Sequence, residues 1–150
     1  MNKALLILFF FLLGCGYQPI YLNKDLKNFE FSKIISEGDN NINSRIINTS
    51  SIKENSKKEN KNKLIISSSY KVETTSKDVK GQAITFRSTI IINLKIEDLN
   101  NNVLQNRNFI KEFTYNSKLT KFDLTEYQNS IKDDLIREII SEIIIFLNTR

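Results

Sequence analysis

The sequence predicts an α+β fold: an antiparallel sheet wet on one side, with an amphipathic helix lying across the other. Three observations lead there. Residues 84–97 alternate, with Ile84, Phe86, Ser88, Ile90, Ile92, Leu94 and Ile96 on one face and Thr85, Arg87, Thr89, Ile91, Asn93, Lys95 and Glu97 on the other. That is the period-2 pattern of a half-buried strand. An Asn-rich turn, Asp98–Asn102, leads into a second alternating stretch at 103–115, so the two form a hairpin. Tyr127, Ile131, Leu135, Ile139, Ile143 and Phe146 then fall at helical spacing, and Ile136, Ile140 and Ile144 widen the stripe. A helix with so broad an apolar face must bury it, and a sheet face of similar width needs covering.

The remaining elements follow in order from the N-terminus. Met1-Asn2-Lys3, the apolar run Ala4–Leu13 and Gly14 read as a secretory signal. The run falls short of the roughly 20 residues that a helix needs to cross a bilayer. Leu12-Leu13-Gly14-Cys15 resembles a bacterial lipobox. On that reading residues 1–14 are removed and Cys15 carries acyl chains on its sulfur and its amine. A single chain, at about 0.8 kcal/mol per buried CH₂, holds a protein only marginally, whereas three make release negligible. The alternatives are an ordinary cleaved signal with an incidental cysteine, and a signal anchor. Gly16, where an aspartate is absent, is similar to the outer-membrane address of gram-negative lipoproteins. Residues 15–27, with the one proline at Pro19, read as a lipidated tether, and 28–150 as a single domain.

Within that domain, Phe29–Ile34 alternates as a short strand and Gly38-Asp39-Asn40 is a turn. Asn41–Asn55 has Ile42, Ile46 and Ile47 at helical spacing, although its Asn and Ser content opposes a helix. Lys53–Lys63 holds five lysines and two glutamates. It reads as a solvated loop or helix end, with contact to anionic sugar or phosphate headgroups as the functional alternative. Leu64–Thr75 is a strand with Leu64, Ile66, Tyr70 and Val72 on one face, and Ser76–Gln82 is a hairpin end. In 103–115 Lys111 shares a face with Phe109, Phe113 and Tyr115, which predicts an edge strand or a bulge. Asn116–Leu124 is a loop carrying Lys118 and Lys121, and Thr125–Gln128 fits a capping box opening the last helix.

Composition narrows the function. The chain has no histidine or tryptophan and a single cysteine, so an intrachain disulfide is excluded. The usual nucleophile–base pairs and most zinc sites are excluded too, and neither cofactor nor metal is expected. The net charge of +5 falls to +4 once Lys3 leaves with the signal. Export disfavours nucleic acid as the partner of this charge, which leaves compositional bias or an anionic glycolipid.

Cys15-Gly16-Tyr17-Gln18-Pro19 and Tyr21, followed by strand, helix, three strands and a C-terminal helix, resemble the alphaproteobacterial type of the LptE family of lipopolysaccharide-assembly lipoproteins. Gly81-Gln82 before the long strand and Phe113-Thr114-Tyr115 before the last helix are similar to that family as well. The resemblance implies a four-stranded, mostly antiparallel sheet with two helices on one face. It also implies a non-enzymatic role: plugging an LptD-like outer-membrane β-barrel, binding lipopolysaccharide and assisting its passage to the outer leaflet, from a periplasm-facing, lipid-anchored position. The family's lipopolysaccharide contacts fall in two loop regions, which here hold Lys80 and Arg87, and Lys118 and Lys121. Two other classes stay open. One is a lipoprotein of another envelope transport system, such as an ABC-transporter auxiliary or a secretin pilotin. The other is a carboxylate-based glycan hydrolase drawing on Glu73, Asp78, Glu97, Asp98 or Glu112, which requires two carboxyls at about 5–9.5 Å.

Overall fold

A computed structural model describes residues 28–57 and 62–149. The predicted signal, Cys15 and the tether 15–27 lie outside the described residues, as do positions 58–61 of the lysine-rich run. The elements are β1 (Phe29–Phe31), β2 (Lys33–Gly38), α1 (Asn40–Thr49), β3 (Ile52–Glu54), β4 (Lys63–Lys77), β5 (Ala83–Glu97), β6 (Val103–Asn116) and α2 (Lys121–Asn148).

The main sheet has the order β2-β4-β5-β6. The β4–β5 and β5–β6 pairs are antiparallel, as expected, and β2 joins β4 in parallel through the α1 crossover. Register fixes the faces. Leu64 pairs with Ile96, Ile66 with Leu94, and Ile92 with Phe109, so the apolar residues of three strands meet on one side. Both helices cover that side. Leu64, Ile66, Ile90, Ile92, Leu94 and Ile96 are fully buried against Ile42 and Ile46 of α1 and Ile139 and Ile143 of α2. Each such side chain contributes about 1.5–3 kcal/mol on leaving water. Among the described residues no helix lies over the opposite face: Ile91 and Ile110 are exposed, among Ser, Thr and Asn side chains.

Three expectations are corrected. The strand anticipated at 29–34 is two strands, broken at Ser32, and β1 leaves the main sheet to pair in parallel with β3. The first helix stops at Thr49, because Ser51 turns to a φ of 54° and sends Ile52 into the core on β3. The last helix starts one turn earlier than the capping box at Thr125 implies. Thr120 is its cap: its Oγ1 accepts from the Asp123 amide at 3.0 Å and donates to the Asp123 carboxylate at 2.8 Å. Thr125 instead donates back to the Lys121 carbonyl. Both segments carry a capping pattern, and the earlier one wins because Asp123 adds a negative charge at the positive end of the helix, which neutral Gln128 does not.

Lys111 behaves as its odd position implies. β6 is the sheet edge, and the ammonium reaches across it to Glu142 at 2.6 Å and Glu138 at 3.6 Å on α2. Glu142, then Glu138, hold the Lys111 amine above its ordinary value.

Candidate functional site

The sheet is longer than its cover on one side. β2 ends where Gly38 pairs with Ser68, and α1 turns back from that point. Among the described residues β4 has only β5 as a neighbour beyond Ser68, and residues 69–77 of β4, 83–91 of β5 and 110–116 of β6 continue past β2 as a three-stranded ribbon. Toward its tip the positions that alternation assigns to the core lose their cover: Val72 and Ile84 are exposed, while Ser88, Ile90 and Tyr115 stay buried.

The β4–β5 turn closes this ribbon, and the β6–α2 loop arrives beside it: Thr85 pairs with Asn116, and the Ser117 amide donates to the Ile84 carbonyl at 2.8 Å. Lys80 sits on the turn, with Lys118 in the loop and Lys121 opening α2, all exposed. Lys118 Nζ lies 4.0 Å above the Tyr127 ring centroid, a cation–π contact. Three of the four predicted cations thus share one end of the molecule. Arg87 is separated from them. It points to the uncovered face, within 3.4 Å of Thr114 Oγ1 and 4.0 Å of Glu112, as its odd position in the alternation requires.

Sequence reading placed Phe86, Phe113, Tyr115 and Tyr127 on apolar faces but missed that they meet beside these cations. Phe86 and Phe113 stack on either side of Tyr115, at 5.9 and 6.5 Å between centroids, and Tyr127 meets Tyr115 edge-on at 5.6 Å. Phe113 of this ladder is exposed, and so, on the turn and loop at the same end, are Val79, Leu119 and Phe122. Exposed apolar side chains gathered at one end together with cations are a candidate interaction surface. The forewarning of its exposure in the sequence was Leu119 and Phe122 near Thr120 in a segment read as loop. Beneath the ladder, buried Ser88 lies 3.1 Å from both Tyr70 and Tyr115 hydroxyls, a polar chain across three strands that fixes the rings. Burial pushes the Tyr70 phenol up.

The carboxylates weighed for catalysis each have structural partners. Asp78 Oδ1 accepts from the Lys80 and Gln82 amides, and Asp98 Oδ1 from those of Asn100 and Asn102, all at 2.8 Å. Glu97 is ion-paired to Lys95 at 3.0 Å and Lys63 at 3.5 Å. Glu73 pairs with Lys71, and Glu112 with Arg87. The two turns are built alike: Gly81 at φ 80° and Asn101 at φ 65° follow the same hydrogen-bonded step, and each turn offers an apolar residue, Val79 or Leu99, to solvent. Among the described residues no cluster of His, Cys, Asp or Glu could hold a metal ion, and no helix is long and apolar enough to cross a membrane.

No protein-family model matches the chain, and no curated protein matches it in sequence. Solved structures share its fold. The rare lipoprotein B of Shewanella oneidensis superposes with a TM-score of 0.58 at 8% identity, over 78% of this chain and 94% of that one. An uncharacterized lipoprotein B of Nitrosomonas europaea gives 0.54 at 13% identity, over 85% and 88%. A putative lipoprotein of Caulobacter crescentus gives 0.52 at 15% identity, over 79% and 88%. At these identities the likeness establishes a common fold, one found in bacterial lipoproteins.

Proposed function

We propose that this protein is a lipid-anchored, non-catalytic envelope protein that binds lipopolysaccharide, plugs an outer-membrane β-barrel of the LptD kind and assists delivery of the glycolipid to the outer leaflet. The observation that carries the reading is the ribbon end, which brings exposed Lys80, Lys118 and Lys121 to the same end as the exposed Phe113 and Phe122. A glycolipid offers both complements. Its phosphates accept charge-assisted hydrogen bonds from lysine ammonium groups, and its acyl chains seek apolar surface. The lipobox-like Leu-Leu-Gly-Cys15, the family resemblance of the N-terminal block and the fold shared with bacterial lipoproteins support the envelope setting.

The test is affinity purification of the full-length protein from detergent-solubilised outer membrane of its native host. Recovery of a large β-barrel together with lipopolysaccharide is the expected result. Recovery of the protein alone, or with an ABC transporter or secretin in place of a barrel, refutes the plug reading.

A further inference from the structure

The helix side of the molecule holds a cavity that the candidate site does not use. It lies between the two helices and has a volume of about 350 Å³. Asn41 and Arg45 of α1 line it from one side, and Asn129, Lys132 and Asp133 of α2 from the other. Buried Ile42 and Ile136 complete the lining. The size falls in the range of small-ligand sites, about 300–1,000 Å³. Its charges cancel. Arg45 is ion-paired to Asp133, and Lys132 Nζ lies 3.5 Å from the Asp39 carboxylate. The same ammonium stands 4.8 Å from the Tyr70 ring centroid, and the Tyr70 hydroxyl is the one that meets Ser88 beneath the aromatic ladder. α2 joins the cavity to the ribbon end: Lys132 follows Lys121 by 11 residues, about 16 Å at 1.5 Å per residue.

We propose that this cavity binds a neutral sugar of the glycolipid whose phosphates and acyl chains meet the ribbon end. The inference rests on the function proposed above and extends its site along α2. The chemistry of the lining selects the class. A phosphate carries negative charge and only accepts hydrogen bonds, so to gain a cation here it must displace Asp39 from Lys132 or Asp133 from Arg45. A neutral sugar requires no such exchange. Each of its hydroxyls both donates and accepts, and the lining answers both needs. The Asn41 and Asn129 carboxamides donate and accept, and the Asp133 carboxylate accepts. The Arg45 guanidinium has five N–H donors, more than its ion pair with Asp133 uses. Asn41 and Asn129 are exposed, and their side chains bond to no other described residue, so a ligand takes them without loosening the fold. A sugar joined to a lipid already held at the ribbon end meets the cavity at high local concentration, so a contact weak by itself tightens binding of the whole molecule.

The test compares two forms of one ligand: purified lipopolysaccharide, and the lipid portion left when mild acid removes its sugars. Dissociation constants for both are measured in detergent with the full-length protein and with its Asn41→Ala/Asn129→Ala variant, whose urea midpoint is expected to match wild type. The wild type is expected to bind the intact form at least about fivefold more tightly than the stripped form, and the variant to bind both alike. Replacing Lys80, Lys118 and Lys121 by alanine is expected to weaken both forms by a similar factor and to leave their ratio unchanged. Equal binding of the two forms by the wild type overturns the cavity assignment and leaves the glycolipid reading standing, and so does a variant that keeps the full preference. Binding of neither form refutes the glycolipid reading and the cavity assignment with it. The released sugar chain, added alone, separates the source. Binding as tight as that of the intact form marks a site for free glycans and overturns the link to the ribbon end.

Discussion

Gly38 and Gly81 set up a controlled pair. Both have left-handed backbone, at φ +81° and +80°, so alanine meets the same conformational penalty at either site. That penalty is about 1–2 kcal/mol, offset by about 0.4–1 kcal/mol because alanine narrows the unfolded ensemble. A Cβ at Gly81 meets nothing within 4 Å, so Gly81→Ala is expected to cost about 1 kcal/mol. A Cβ at Gly38 falls 2.0 Å from the Ser68 carbonyl oxygen, a full ångström inside van der Waals contact. That oxygen cannot swing aside freely, because it accepts from the Asp39 amide at 3.2 Å, and Ser68 Oγ donates to the Asp39 carbonyl at 3.0 Å. Separating β2 from β4 there loses both bonds, at about 1 kcal/mol each. Gly38→Ala is therefore expected to cost about 3–4 kcal/mol in all. Urea unfolding followed by far-UV circular dichroism reads the difference. With a slope of about 1.5 kcal/mol/M, the midpoint moves by about 2 M for Gly38→Ala and by about 0.6 M for Gly81→Ala. Equal shifts at the two glycines refute the reasoning, because only the packing differs between them.

Further outcomes follow from the same geometry. Asp39 caps α1 by accepting from the Asn41 and Ile42 amides at 3.0 and 3.1 Å. The Ile42 amide, with Lys132, holds its carboxyl below the ordinary value. Its unfolded pKa, about 3.9, is thus the higher one, so its stabilisation is present above that pH and lost as pH falls through the folded value. Asp39→Ala is expected to cost about 1 kcal/mol at pH 7, with the gap from wild type narrowing as pH falls below the ordinary carboxylate range in urea titrations. Ile139→Ala, at a fully buried site on α2, is expected to cost about 2–5 kcal/mol, against about 0.5 kcal/mol or less for Ile145→Ala on its exposed side, by the same urea assay. Replacing Lys80, Lys118 and Lys121 together by alanine is expected to weaken binding of purified lipopolysaccharide about tenfold in low salt, while Arg87→Ala changes it less than about twofold.

How far the chain could be read in advance depended on how local each pattern was. β5, β6 and α2 carry their periodicity within single segments, so Ile90, Ile92 and Leu94, and Ile139 and Ile143, could be placed in the core from the sequence. The β1–β3 pair could not, because three-residue strands hold no period and Phe29 and Ile52 pair only after α1 has folded between them. Arg87 was legible as facing away from the apolar side, since it follows Phe86 in strict alternation. The meeting of Lys80 with Lys118 and Lys121 was not, because it depends on β4–β5–β6 register across 40 residues. The exposed apolar ladder was hidden for a related reason. Alternation marks Val72 and Phe113 as facing one side, but only the ends of β2 and α1 decide whether anything covers them.

The central claim is that the ribbon end touches the glycolipid in the living envelope. A photoreactive amino acid placed at Phe122, beside Lys118 and Lys121, with Ile110 on the uncovered sheet face as its counterpart, measures this directly by ultraviolet crosslinking and immunoblotting for lipopolysaccharide. An adduct from position 122 and none from 110 is the result this account predicts. No adduct from 122, or equal adducts from both, contradicts it.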